Sequence, residues 1–223
     1  MIARVPLSLA VLISGRGSNM VAIAQACAAG RINASIGQVI SDQAAAAGIE
    51  TARHLGLATQ IIARNAFSDA ATFESELTRA LDERSPGLVA CAGFMRILSA
   101  AFVTRYTGRM LNIHPSLLPR YRGLHTHRRA LAAGDAEHGA SVHFVTPQLD
   151  SGPIVLQSRL AVGAGDTEET LAARVLASEH RIYPVVIGWF ADGRVALRNE
   201  KVWFDGAPLV APLVEEMHVA APK

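Results

Sequence analysis

Three short stretches carry residue types that can do chemistry. The densest is Asn112-Ile113-His114-Pro115-Ser116-Leu117-Leu118-Pro119. If its first residues are extended, the period of two sends Asn112 and His114 to the same side, so an amide donor and an imidazole can address one atom. The same residues also read as a polar strand end satisfied by backbone. The second stretch is Gly15-Arg16-Gly17-Ser18-Asn19. Backbone N–H groups at a helix start, aided by the helix dipole, can hold a phosphate there, and Gly17 permits close approach. A glycine turn of this kind serves strand-to-helix packing equally well. The third is Asp150, in the turn-rich run Thr146-Pro147-Gln148-Leu149-Asp150-Ser151-Gly152. An aspartate in such a place often only bonds its own backbone.

Two rival chemistries are weighed against these residues. Asp42 lies at a suitable distance beyond the glycine loop to hold the ribose of a dinucleotide, but Met20 puts bulk where the third glycine of that pattern belongs. A monophosphate is the better ligand. Five histidines, His114, His125, His127, His138 and His143, invite a metal, with His125 and His127 spaced for one face of a strand. No ligand spacing of the usual kind accompanies them and no cysteine is near, so no metal is expected. His143, inside an apolar run, reads as a hydrogen-bonded core histidine.

The elements that would position these residues follow from periodicity. Apolar runs at Leu7–Ser14, Ile36–Ser41, Thr59–Ile62, Leu88–Cys91 and Arg109–His114 read as strands. The helical stretches Asn19–Ala29, Ala44–Leu55 and Asp69–Arg84 alternate with them, the rhythm of parallel βαβ units. A short helix is expected near Thr126–Ala133. Gly139–Val145 and Pro153–Ala161, joined by a connection too short for a crossover helix, form an antiparallel pair. A long helix runs from Thr167 to Phe190 with Asp166 as N-cap and Glu168 and Glu169 matching the dipole. Val195–Arg198 and Lys201–Phe204 suggest a hairpin. The expected fold is α/β: a Rossmann-like, mostly parallel twisted sheet with helices on both faces and an antiparallel C-terminal portion.

The 223 residues suffice for one such domain. The expected division is a phosphate-binding half over 1–100, a catalytic half over 101–205 and a Pro- and Ala-rich tail over 206–223. Net charge is only +2, without a run of Lys or Arg, so the field needed to hold nucleic acid is missing. Cys27 and Cys91, apart in sequence and in apolar surroundings, read as buried thiols. Arg4 and the apolar run after it could pass for a secretory signal, but the glycine loop stands where a cleavage site should be. No stretch approaches the length of a membrane span. A soluble, cytoplasmic protein acting on small molecules, without nucleic acid or membrane as partner, is expected, as monomer or homodimer.

Over nearly its whole length, to about Phe204, the chain resembles the phosphoribosylglycinamide formyltransferases. The segments that carry the resemblance are Ile13–Asn19, Ala92-Gly93-Phe94-Met95-Arg96-Ile97-Leu98, Leu111–Pro119, Gly139–Val145 and Leu149-Asp150-Ser151-Gly152-Pro153-Ile154, in the family's order. The resemblance implies transfer of the formyl group of 10-formyltetrahydrofolate to the amine of N1-(5-phosphoribosyl)glycinamide, in purine synthesis. It implies that Gly17, Ser18 and Asn19 hold the ribonucleotide phosphate and that Leu176, Ala177, Ser178 and Glu179 touch the same substrate. It further implies that Met95, Arg96, Ile97, Leu98, Asn112 and the run Thr146, Pro147, Gln148, Leu149, Asp150 line the folate pocket. Asn112, His114 and Asp150 would be the catalytic group: Asn112 and a protonated His114 stabilise the formyl oxygen, and Asp150 favours the cationic ring. The chain departs from the family where Ala70 replaces an arginine able to meet the folate's glutamate tail; Arg64 is the candidate substitute. Two alternatives are a 10-formyltetrahydrofolate hydrolase using the same three residues and a noncatalytic nucleotide- or folate-binding module.

Overall fold

The computed structural model describes residues 5–217; residues 1–4, with Arg4, and 218–223, the end of the tail, lie outside the described residues. Strands β1 (Leu7–Ile13), β2 (Ala34–Ser41), β3 (Thr59–Ile61), β4 (Leu88–Cys91) and β5 (Met110–His114) alternate with helices α1 (Ser18–Ala28), α2 (Ala47–His54), α3 (Ala70–Arg84) and α4 (Ala100–Arg105). After α5 (Thr126–Ala132) come β6 (Glu137–Phe144), β7 (Ile154–Ala161), α6 (Glu168–Ala191), β8 (Val195–Arg198), β9 (Lys201–Phe204), β10 (Ala207–Pro208) and β11 (Leu213–Glu216).

One sheet holds eight strands in the order β11-β7-β6-β5-β4-β1-β2-β3, and β10-β9-β8 form a second. From β3 to β5 all neighbours are parallel, whereas β5–β6 and β6–β7 are antiparallel. The chain therefore fills one side of β1 first and the other side afterwards. That reversal lies between β1 and β4, the place where open α/β sheets bind ligands.

Alternation within β1 shows why helices cover both faces. Leu9, Val11 and Ile13 join a core with Ile23 of α1, Ile49 of α2 and Ile182 of α6. Ala10 and Leu12 point the other way, to Phe73 and Leu77 of α3 and Phe102 of α4. Tyr183 ties α6 to the sheet, its fully buried hydroxyl donating to the carbonyls of Cys91 (3.1 Å) and Leu111 (3.0 Å).

Several sequence expectations need correction. The N-cap of α6 is Thr167, whose hydroxyl accepts from the Thr170 amide while the Thr170 hydroxyl accepts from the Thr167 amide. Asp166 instead accepts from the Gly163 amide and pairs with Arg174. The stretch before α2 is not helical, because Ser41 and Gln43 close a side-chain turn there. The six-residue α4 carries no pattern long enough to announce itself, and Ser99 caps it. The tail also pairs: β11 lies parallel to β7.

Candidate active site

β1 ends at Ile13 and the chain turns through Ser14-Gly15-Arg16-Gly17 into α1. Gly17 has φ 71°, and a Cβ there would stand 3.1 Å from the Gly48 Cα. Gly48 is constrained in turn. Its amide donates to the Gly15 carbonyl (3.0 Å), and a Cβ would meet the Ile13 side chain at 2.7 Å. The first turn of α1 has neither a side-chain cap nor an acidic residue, so its N–H groups await an acceptor from outside and the dipole favours an anion.

Behind this turn, Asn19 donates from Nδ2 to Glu179 Oε2 at 2.7 Å, both residues being buried. Asn19 Oδ1 has no partner. Burial pushes the Glu179 carboxyl up to about 7, against the pull of the bond from Asn19. One orphan amide oxygen and one buried carboxyl make a site for a ligand that brings its own O–H or N–H donors. Leu176 and Ala177 lie near the surface of α6. Ser178 does not face a ligand: its fully buried hydroxyl shares a bond with Ser158 (2.7 Å) and donates to the Val175 carbonyl, holding α6 to β7.

The second cluster grows from β5 and β6. Their register sets Asn112 opposite His143. His143 Nδ1 lies 2.9 Å from the Phe144 carbonyl, so Nδ1 carries the hydrogen, since a carbonyl only accepts. Burial pulls this ring down to about 4. Neutral His143 therefore offers Nε2 as acceptor, and the Asn112 amide stands 3.1 Å from it. This fixes which end of Asn112 is nitrogen and leaves one amide hydrogen free. The expectation of a hydrogen-bonded core histidine holds for His143, but the ring also orients Asn112, a role legible only once the strand register is known.

His114 Nε2 lies 2.9 Å from the Tyr121 carbonyl and Nδ1 lies 3.4 Å from Asp150 Oδ2. Both ring nitrogens thus face acceptors. Asp150 also accepts from the Gly123 amide (2.9 Å), and its other oxygen is 3.8 Å from His143 Nε2. Its φ is 46°, a left-handed conformation that Asp tolerates better than most side chains. Asp150 is thus no mere turn-former: it faces the rings of β5 and β6.

A cleft opens beside this cluster. Asn112, His143 and Asp150 line it, as do Arg96, Ile97, Leu98, Thr146, Pro147 and Leu149. His114 lies behind Asp150, outside the lining, and Met95 and Gln148 are likewise absent from it. Met95 and Ile97 are 65% and 76% exposed, large apolar side chains uncovered beside the cleft. The Met95 amide donates to Ser14 Oγ (2.8 Å), so the segment bordering the cleft is fastened directly to the start of the glycine loop. Arg64 is used elsewhere: it donates to the Phe67 carbonyl (3.0 Å) and lies over the Phe73 ring. Among the described residues, no group of His, Cys, Asp and Glu could hold a metal ion, and no helix is long and apolar enough to cross a membrane.

Residues 7–187 match the family model described as formyl transferase. The phosphoribosylglycinamide formyltransferase of Escherichia coli (strain K12) is 52% identical over 203 residues, 91% of this chain and 96% of that protein. The human trifunctional purine biosynthetic protein adenosine-3 is 43% identical over 195 residues, 87% of this chain but 19% of that much longer protein. Among solved structures, a phosphoribosylglycinamide formyltransferase from Coxiella burnetii, in complex with CHES, superimposes with a TM-score of 0.91 at 50% identity, covering 94% of this chain and 99% of that one. One from Brucella melitensis gives a TM-score of 0.80 at 47% identity, covering 83% and 96%. The chain belongs to the formyl transferase family.

Proposed function

We propose that this chain transfers the formyl group of 10-formyltetrahydrofolate to the amine of N1-(5-phosphoribosyl)glycinamide, a step of purine synthesis. The observation that carries the reading is adjacency. An uncapped helix start suited to a phosphate and a cleft bordered by uncovered apolar side chains share one wall, through the bond from the Met95 amide to Ser14. The donor set fits both ligands: Asn19 and Glu179 suit hydroxyl or amine donors, while Ile97, Leu98, Pro147 and Leu149 suit the faces of a flat heterocyclic ring.

The co-substrate supplies the formyl carbon when bound, and the residues of this chain do the rest. Gly17, Ser18 and Asn19 hold the phosphate and so aim the ribonucleotide's amine at the cleft. Asn112, its amide fixed by His143, gives its free hydrogen to the formyl oxygen as negative charge develops there. His114, with one ring nitrogen on the Tyr121 carbonyl and the other facing Asp150, completes the catalytic group by holding the Asp150 carboxylate at the cleft rather than by reaching that oxygen itself. Asp150, which lines the cleft, is placed to take the proton that the attacking amine must lose, directly or through water, and to pass it to the departing folate nitrogen. A soluble, cytoplasmic enzyme without a metal, working as monomer or homodimer in a single domain with the two halves set out above, completes the reading.

The test mixes protein, 10-formyltetrahydrofolate and the ribonucleotide, and follows folate release. Release that requires the ribonucleotide supports transfer. Equal release without it would make the chain a hydrolase, and binding without release a noncatalytic module.

A further inference from the structure

Asp42, the residue that the dinucleotide pattern singled out, has a different use. It follows the last residue of β2, and its side chain is fully buried. One carboxyl oxygen pairs with Arg96 Nε and accepts from the Gln43 side-chain amide at 3.1 Å. The other has no hydrogen-bond partner. A buried carboxylate so incompletely satisfied is costly to fold and depends on its cation. Arg96, unlike Asp42, is not buried: its side chain is 36% exposed and lines the cleft. It is the only arginine or lysine among the lining residues.

We propose that Asp42 is a positioning residue, acting through Arg96 to set the grip of the cleft on the anionic tail of a folate. The inference rests on the functional reading above. The carboxylates of such a co-substrate sit on its glutamyl tail and not on its ring, so the one arginine of the lining is placed for the tail. A guanidinium is a planar fork whose use depends on its orientation. Asp42 takes Nε and leaves the terminal nitrogens for the ligand. The same contact pins Arg96 to the end of β2 while the neighbouring Met95 amide is pinned to Ser14 at the end of β1. The tail grip is thereby built on the phosphate-binding half. With Ala70 exposed and uncharged and Arg64 committed to Phe67, the burden falls on Arg96.

The test is direct binding, by calorimetry, of two unreactive ligands to the full chain: tetrahydrofolate, which carries the glutamate, and tetrahydropteroate, which lacks it. In Asp42→Asn the volume is kept and the charge removed. Tetrahydrofolate is expected to bind roughly tenfold to a hundredfold more weakly, the worth of a charged hydrogen bond, while tetrahydropteroate changes much less. The KM for 10-formyltetrahydrofolate should rise by more than kcat falls. Arg96→Gln should show the same selectivity, and the double variant should lose no more than Arg96→Gln alone, because Asp42 acts through that residue. The double variant also removes the unpaired buried carboxylate and so guards against misfolding of the single one. Equal weakening of both ligands, no weakening of either, or additive losses in the double variant would overturn the proposal. If the unaltered chain binds neither folate, the functional reading fails; if it binds both and Asp42→Asn shows no selectivity, this inference alone fails.

Discussion

At the scale of single residues, the proposed chemistry rests on one amide whose direction is fixed and one carboxylate between two imidazoles. Removing an oxyanion donor costs roughly a hundredfold to a thousandfold in rate, and Asn112→Ala should fall in that range with near-normal folding, measured as kcat with both substrates saturating. His143→Phe keeps the ring volume but frees Asn112 to turn over, so its kcat should also drop while KM for each substrate changes less. Glu179 makes a separate prediction about stability. Its carboxyl titrates near 4.5 when exposed and at about 7 in the fold. The folded state thus holds the proton more tightly, and the resulting stability is complete below pH 4.5 and lost as pH rises through about 7. By the linkage the loss is about 3 kcal/mol. Glu179→Gln cannot ionise, so denaturant unfolding at pH 5 and pH 8 should show the wild type losing stability between them relative to the variant. Parallel behaviour would refute the buried, shifted acid.

At the scale of elements, the glycine turn and β5–β6 were legible for different reasons. The turn announced itself because Gly17, Ser18 and Asn19 follow an apolar strand and open a helix, and the structure adds why no side chain can enter: Gly17 and Gly48 are in near contact. Gly48→Ala should therefore push Ile13 or the Gly15 carbonyl, and weaken ribonucleotide binding more than folate binding in calorimetry. Ser18→Ala should also weaken the ribonucleotide selectively, without that steric cost. Asn112 and His114 were found by their alternation on one strand. His143 was seen only as core, because its role depends on pairing with Asn112 across 31 residues, which no local pattern encodes. Asp150 was visible as a residue but its partners were not. The same limit hid β11, whose half-exposed Leu213–Glu216 pairs with β7, and the Asp42–Arg96 pair, 54 residues apart in sequence.

At the scale of the whole molecule, the order of strands explains why the two proposed ligand sites adjoin. Because β2 and β3 lie on one side of β1 and β4 and β5 on the other, the loops after β1 and β4 leave the same end of the sheet side by side. Local periodicity revealed the parallel half and the antiparallel turn-back but not this order, which arises from how the helices distribute over the two faces. In the proposed mechanism Asp150, beside His114, handles the proton of the transfer. This role is tested most directly by the rate of formyl transfer in Asp150→Asn with both substrates saturating. Asparagine tolerates the left-handed backbone at this site and its amide oxygen can still accept from Gly123. The fold should therefore survive while kcat falls by roughly a hundredfold or more. A well-folded Asp150→Asn enzyme turning over at close to the wild-type rate would contradict the account.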